Sequence, residues 1–236
     1  MAQSDVVRKN LYGVNALSAW FGFGLSLVIE LFGLVKPIQY DPPVPASQFG
    51  YIDRYVEGLS GAPLRLIDLL SYFTIWSQIA VGIVMTLLWL NPMRDSKWIR
   101  VLRIDALLMI TVTGVVYNLL LGPNYPPVGL NQISSPVEHT ITPILTVFVF
   151  LIAGPRGWFN KKTVATALVI PVVYVFYTLI RGAFINCYPY DFFDVVSYGY
   201  AYVIVFVLGI LAASLIVLGL YWAIDRSLTK KEATNV

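Results

Sequence analysis

The amino-acid sequence predicts an all-α integral membrane protein: six transmembrane helices in one bundle, with both termini cytoplasmic. An apolar composition, six long apolar stretches divided by turn signals, and an uneven placement of lysine and arginine carry that prediction. Of 236 residues, 58% are hydrophobic and only 12% charged, whereas a soluble domain carries about 25% charged residues. Mean hydropathy is +0.72, so the bilayer is the expected solvent.

A helix that crosses a bilayer needs roughly 20 mainly apolar residues. Stretches 11–35, 66–90, 99–121, 137–153, 163–180 and 198–224 meet that demand. The first has a short polar start and no small-residue cleavage pattern after it, so it reads as a retained helix and not a removed signal peptide. Breaks rich in proline and glycine separate the stretches: Asp41-Pro42-Pro43-Val44-Pro45, Asn91-Pro92, Gly122-Pro123-Asn124-Tyr125-Pro126-Pro127, Gly154-Pro155-Arg156-Gly157 and Tyr188-Pro189-Tyr190. Each marks a reversal of the chain. No repeat of fixed period divides it, and residues 1–236 read as one domain.

Lysines and arginines that flank spans in short loops set orientation. Twelve of the sixteen fall on one side: Arg8, Lys9, Arg94, Lys97, Arg100, Arg103, Arg156, Lys161, Lys162, Arg226, Lys230 and Lys231. That side is expected to be the cytoplasm, and the membrane to be the plasma membrane. The opposite side carries Lys36, Arg54, Arg65 and Arg181, with loop 36–65 long enough to cover a site. The net charge of +3 is accounted for by this topology and calls for no nucleic-acid partner.

His139 is the only histidine and Cys187 the only cysteine. Two-histidine metal sites are therefore impossible within one chain, and one cysteine makes neither a zinc site nor an internal disulfide; neither metal nor cofactor is expected. His139 lies where Ser134-Ser135-Pro136-Val137-Glu138-His139-Thr140 passes from polar to apolar. Ser135 as N-cap, Pro136 at the first helical position and Glu138 at the third fit a capping box. His139 then falls in the first turn of the fourth span, where the helix dipole favours the neutral imidazole a general base requires. On the second span, Ser71, Thr74 and Gln78 recur at helical spacing as a polar stripe at similar depth. Taken alone, such a stripe is more often a packing surface and source of interhelical hydrogen bonds.

Two short motifs bear on that choice. Tyr72-Phe73-Thr74-Ile75-Trp76-Ser77 in the second span, paired with His139-Thr140 and Pro143-Ile144-Leu145 opening the fourth, resembles the androgen-induced-protein family of small membrane hydrolases and the related Pr6Pr-type bacterial six-helix proteins. The Tyr188-Pro189 pair after the fifth span fits the same likeness. The resemblance implies hydrolysis of fatty acid esters of hydroxy fatty acids, with Thr74 as nucleophile and His139 as its base. It implies a lipid or fatty-acyl ester substrate within the bilayer. Ser135 stands where members of the family carry an asparagine.

An acyl-transfer site also needs a donor to the oxyanion, and Gln78, Asn118, Ser135 and Ser71 are the candidates for that role or for binding substrate. Elsewhere, Asn15, Gly22, Ser26 and Glu30 form a stripe on the first span, and Tyr174, Thr178 and Arg181 one on the fifth. Glu30 and Arg181 are expected to form an ion pair. Asp68 is expected at the start of the second span, and Asp105 beside Arg103 or Arg100. A non-enzymatic lipid-binding or structural protein is the alternative function, and a small-solute transporter the next.

Overall fold

The computed structural model describes residues 3–36 and 56–234, and among these every regular element is helical. In chain order they are α1 (Gln3–Phe32), a 3-10 turn (Leu59–Gly61), α2 (Ala62–Leu69), α3 (Phe73–Leu90), α4 (Lys97–Val116), α5 (Asn131–Pro136), α6 (Thr142–Ala153), α7 (Lys161–Ala167), α8 (Val169–Ile185) and α9 (Val195–Thr234). Two π-helical turns interrupt this order: Tyr117–Leu121 continues α4, and Val137–Ile141 joins α5 to α6. A 3-10 turn at Asp191–Phe193 precedes α9, which is kinked at Gly199. Six helical runs are long and apolar enough to cross a membrane: Asp5–Phe32, Phe73–Leu90, Lys97–Leu121, Asn131–Ala153, Lys161–Ile185 and Val195–Lys231. Residues 37–55 of the long loop lie outside the described residues.

The runs are not equivalent. α1, α3, α4 and α6 pack around one another, while α7 and α9 rest against α4 from outside. Of the most apolar stretch of each run, 56% is buried on α3 but 22% on α9. The inner core draws Tyr12, Ala16 and Ala19 from α1, Val81, Val84 and Met85 from α3, Ala106 and Ile110 from α4, and Val149 from α6. Lipid tails are as apolar as these side chains, so close packing and interhelical hydrogen bonds must hold the helices together.

Both devices are visible. Between α1 and α3, small residues face large ones reciprocally. A Cβ at Gly82 would stand 2.7 Å from the Trp20 ring, and one at Gly13 would stand 2.8 Å from the Trp89 ring. Trp20 Nε1 donates to Thr86 Oγ1 at 2.9 Å across the same seam. Between α1 and the α5–α6 run there is a ladder of hydrogen bonds: Thr146 Oγ1 to Asn15 Oδ1 at 3.0 Å, Ser18 Oγ with Thr142 Oγ1 at 2.7 Å, and Ser26 Oγ to Glu138 Oε1 at 2.7 Å. Such bonds contribute ~0.6 kcal/mol each on average in membranes. The α1 stripe of small and polar residues is thus a packing surface.

Several boundaries and partners differ from expectation. The second apolar stretch is divided into α2 and α3. At the division Ser71 Oγ donates to Asp68 O at 2.6 Å and the Ser71 amide to the same oxygen at 2.8 Å, a local bond that competes with continuing the helix. Asp68 consequently lies in the last turn of α2, not at a helix start. The Glu30–Arg181 ion pair is corrected: Arg181 Nη2 donates to Asp68 Oδ1 at 2.9 Å. Glu30 contributes its backbone carbonyl to Arg65 Nε at 2.7 Å, at the end of α1. Arg65 also donates to the Leu31, Val56 and Gly58 carbonyls, joining α1 to the segment before α2. Arg100 binds Asp95 at 2.5 Å and not Asp105, while Arg103 and Asp105 are buried without a hydrogen-bond partner among the described residues.

The reciprocal contacts of α1 and α3 give a direct test. Gly82→Leu and Gly13→Leu should each destabilise the detergent-solubilised protein by about 1–3 kcal/mol, since a Cβ at either position already falls inside contact distance of its tryptophan ring and the ring must leave the seam. A thermal midpoint unchanged in both variants would contradict this packing.

Candidate active site

Thr74 and His139 meet. Thr74 Oγ1 and His139 Nε2 are 3.1 Å apart, within hydrogen-bond reach for a hydroxyl and an imidazole. Thr74 is the second residue of α3, placed there because the chain at Tyr72 is extended (φ −83°, ψ 130°) and the helix restarts at Phe73. The division that corrects the second span therefore puts Thr74 at the mouth of a new helix.

His139 arrives by a route the capping pattern does not describe. The helix begins earlier, at Asn131, so Ser135 is no N-cap and Pro136 lies inside the helix. Proline has no N–H for the i−4 carbonyl, and its ring crowds that carbonyl. The helix widens immediately afterwards into the π turn Val137–Ile141, a known means of absorbing such a defect. Glu138 does not cap; its carboxylate faces α1 and accepts from Ser26. Its neighbour His139 points toward α3 and α4.

The imidazole is held on three sides. Nδ1 lies 2.9 Å from Ser135 O and 3.1 Å from Ser135 Oγ. The carbonyl oxygen can only accept, so the neutral ring carries its proton on Nδ1 and leaves Nε2 as an acceptor toward Thr74. Tyr117 stacks on the ring with centroids 3.6 Å apart and planes 16° from parallel. Ser135 Oγ donates to Tyr117 Oη at 2.7 Å, tying the stacked ring to the same turn. Behind them, Asn118 Nδ2 donates to His139 O and to Gly114 O, both at 2.8 Å. Gly114 permits this approach, because a Cβ there would stand 2.9 Å from Pro143 Cβ and 3.3 Å from His139 O. The two π turns are thus cross-braced, one supplying His139 and the other Tyr117 and Asn118.

Thr74 also lines a partly open apolar cavity between α3, α4, α8 and α9. Its walls include Leu108, Val112, Val116, Val175, Val207 and Leu211, with Ser214 among the residues of α9. Tyr117 and Tyr190 line the same space. A nucleophile at the wall of such a cavity, with its base bonded to it from behind, can carry out acyl transfer on an ester with an apolar chain. Among the described residues, no three His, Cys, Asp or Glu side chains converge as metal ligands.

The four oxyanion and substrate-binding candidates are placed otherwise. Ser71 Oγ is engaged with Asp68 O, and Gln78 Nε2 donates to Glu138 O at 2.8 Å on the α1 side. Asn118 spends its amide on two carbonyls, and Ser135 binds Tyr117 and the imidazole. Ser135 and Asn118 position His139; Ser71 and Gln78 brace the backbone nearby. Tyr117 and Tyr190 escaped the sequence reading, where tyrosines beside a membrane read as interfacial belt residues.

The bonded arrangement predicts a single tautomer. ¹⁵N spectra of the protein labelled at its one histidine should show a protonated Nδ1 and an unprotonated Nε2 near neutral pH; the reverse pattern would contradict the geometry. Comparison with protein-family models, curated proteins and solved structures gives no match for the chain, so its chemistry is argued from the residues of this site.

Proposed function

We propose that this chain is an intramembrane lipid-ester hydrolase with Thr74 as nucleophile and His139 as general base. The observation that carries the reading is the 3.1 Å separation of Thr74 Oγ1, which lines an apolar cavity, from His139 Nε2. A hydroxyl is a weak nucleophile until a base within hydrogen-bond reach removes its proton during attack. His139 meets that demand, with Nδ1–H held by a carbonyl that would also steady the imidazolium.

The reaction runs in two halves. Thr74 Oγ1 bonds to the ester carbonyl carbon as its proton passes to Nε2, and the carbonyl electron pair moves onto oxygen. Collapse of that adduct breaks the ester C–O bond, and the departing alkoxide takes the proton from Nε2 to leave as the alcohol. Water then attacks the acyl-threonine, giving its proton to Nε2. The second collapse releases the carboxylic acid and returns the proton to Thr74. The substrate is a fatty-acyl ester whose chain lies in the apolar cavity, and the resemblance favours fatty acid esters of hydroxy fatty acids.

Orientation belongs to the same reading. Six crossings leave both ends on one side, and the twelve basic residues on that side make it the cytoplasm. The site then opens toward the outer leaflet of the plasma membrane. A C-terminal cleavable tag should resist protease added outside intact cells and yield only after permeabilisation; cleavage in intact cells would reverse the assignment.

Detergent-purified protein should hydrolyse a long-chain lipid ester. Thr74→Ala should reduce turnover to background and His139→Ala by about 10²–10⁴-fold, while Thr74→Ser keeps a measurable rate. A fluorophosphonate probe should form its adduct on Thr74. Normal turnover in both alanine variants would sink the Thr74–His139 assignment, and no turnover in the unsubstituted protein would favour the non-enzymatic lipid-binding alternative.

A further inference from the structure

The site described so far lacks a group to receive the negative charge that forms on the carbonyl oxygen. Removing one such donor in other acyl-transfer enzymes costs about 10²–10³ in kcat, so a working site beside Thr74 should contain one. None of the four expected polar groups serves: Ser71, Gln78, Asn118 and Ser135 are committed to the bonds already described.

Tyr190 lies at the required place. It stands in the segment between α8 and α9, brought over the start of α3 by its stack on Phe192 (5.1 Å, 10°) and its edge contact with Tyr72 (5.8 Å). The Phe73 amide donates to Tyr190 Oη at 3.0 Å. Thr74 follows Phe73 directly in the helix, and Thr74, Tyr174 and Tyr190 line the same cavity. A free N–H of a helix start thus uses the phenol oxygen as its acceptor. That arrangement leaves its proton to be given away, and donation toward the oxygen strengthens the phenol as a donor. Tyr174 does not compete as a donor, because its own proton goes to Ser71 O at 2.9 Å. Burial also holds the Tyr190 phenol above its ordinary range, so it keeps its proton at neutral pH.

We propose, resting on the hydrolase reading, that Tyr190 is the oxyanion donor of the reaction at Thr74. In the resting site its phenol lines the cavity together with Thr74 and Tyr174. When Thr74 Oγ1 bonds to the ester carbonyl carbon, the carbonyl oxygen becomes a next-but-one neighbour of Oγ1, and the phenol proton turns to it. No proton is transferred: the O–H bond persists while the charge forms and collapses, and His139 alone moves protons. The phenol is fixed by the Phe73 amide, one residue before the nucleophile, so it senses charge at that point and not along the acyl chain.

Tyr190→Phe removes the O–H and retains the ring that stacks on Phe192. It should lower kcat about 10²–10³-fold and leave KM for the lipid ester within about threefold, because the charge exists only in the transition state. Loss of the cap on Phe73 alone would instead appear as a lower thermal midpoint with kcat little changed, and would overturn the proposal. A second variant separates the roles where both fall. A ring-fluorinated tyrosine at position 190 keeps the oxygen that accepts from Phe73 but loses its proton at lower pH. The donor role requires the alkaline limit of kcat to move to lower pH; an unmoved profile overturns it. If Thr74→Ala abolishes turnover and Tyr190→Phe leaves kcat little changed, only the oxyanion assignment falls. If Thr74→Ala leaves turnover intact, the hydrolase reading falls with it.

Discussion

Hydrocarbon offers no partner to a backbone N–H or C=O group, so any interruption of a helix within a membrane has to be satisfied by the protein itself. That constraint organises the region around Thr74. The chain leaves helical geometry between α2 and α3, and the freed groups find specific side chains. Trp76 Nε1 donates to Leu70 O at 2.8 Å, Tyr174 Oη to Ser71 O at 2.9 Å, and the Phe73 amide to Tyr190 Oη at 3.0 Å. The aromatic cluster of Tyr174, Phe192 and Phe193 above this point therefore also completes the hydrogen bonding of a broken span. The two π turns obey the same rule, with Asn118 covering carbonyls on both sides.

A consequence is that the irregular parts of the fold coincide with its polar centre. The regular parts, α1 against α3 and the inner half of α4, carry the close packing. The helix break and the two π turns carry Thr74, His139, Tyr117 and Asn118. Local strain of this kind is commonly concentrated where a side chain must be aimed. The lightly packed α8 and α9 then enclose the cavity from the lipid side, while the rigid inner helices hold the polar pair.

Much of the bundle was legible in the sequence because a membrane span announces itself by length and hydropathy alone. All six apolar stretches correspond to spanning helices, with ends displaced by a few residues. His139 was legible as a candidate because it is the one histidine at the edge of an apolar stretch, and Thr74 because its motif resembles that of a hydrolase family. Their surroundings were not. Ser135-Pro136-Val137-Glu138 reads as a helix start by every local rule, yet helix formation from Asn131 overrides it and turns Glu138 toward Ser26. The partner of Arg181 was unreadable because Asp68 reaches it only after the second stretch has broken. Tyr190 lies 116 positions from Thr74 in the chain (190 − 74), and nothing in the local pattern distinguishes it from the other fourteen of the 15 tyrosines.

The π turn at Val137–Ile141 has a further meaning as angular phase. Each residue of an α-helix advances ~100° around the axis, and a π turn amounts to one inserted residue. Everything on the Asn131 side is therefore rotated by about that angle against everything on the α6 side. Ser18 and Asn15 on α1 are met by Thr142 and Thr146 below the turn, while the turn itself presents Glu138 to α1 and His139 to Thr74. A continuous α-helix could keep the lower contacts or the upper ones in step, but not both. The meeting of base and hydroxyl is thus a matter of registration, dependent on one residue of helical phase stored beside Pro136.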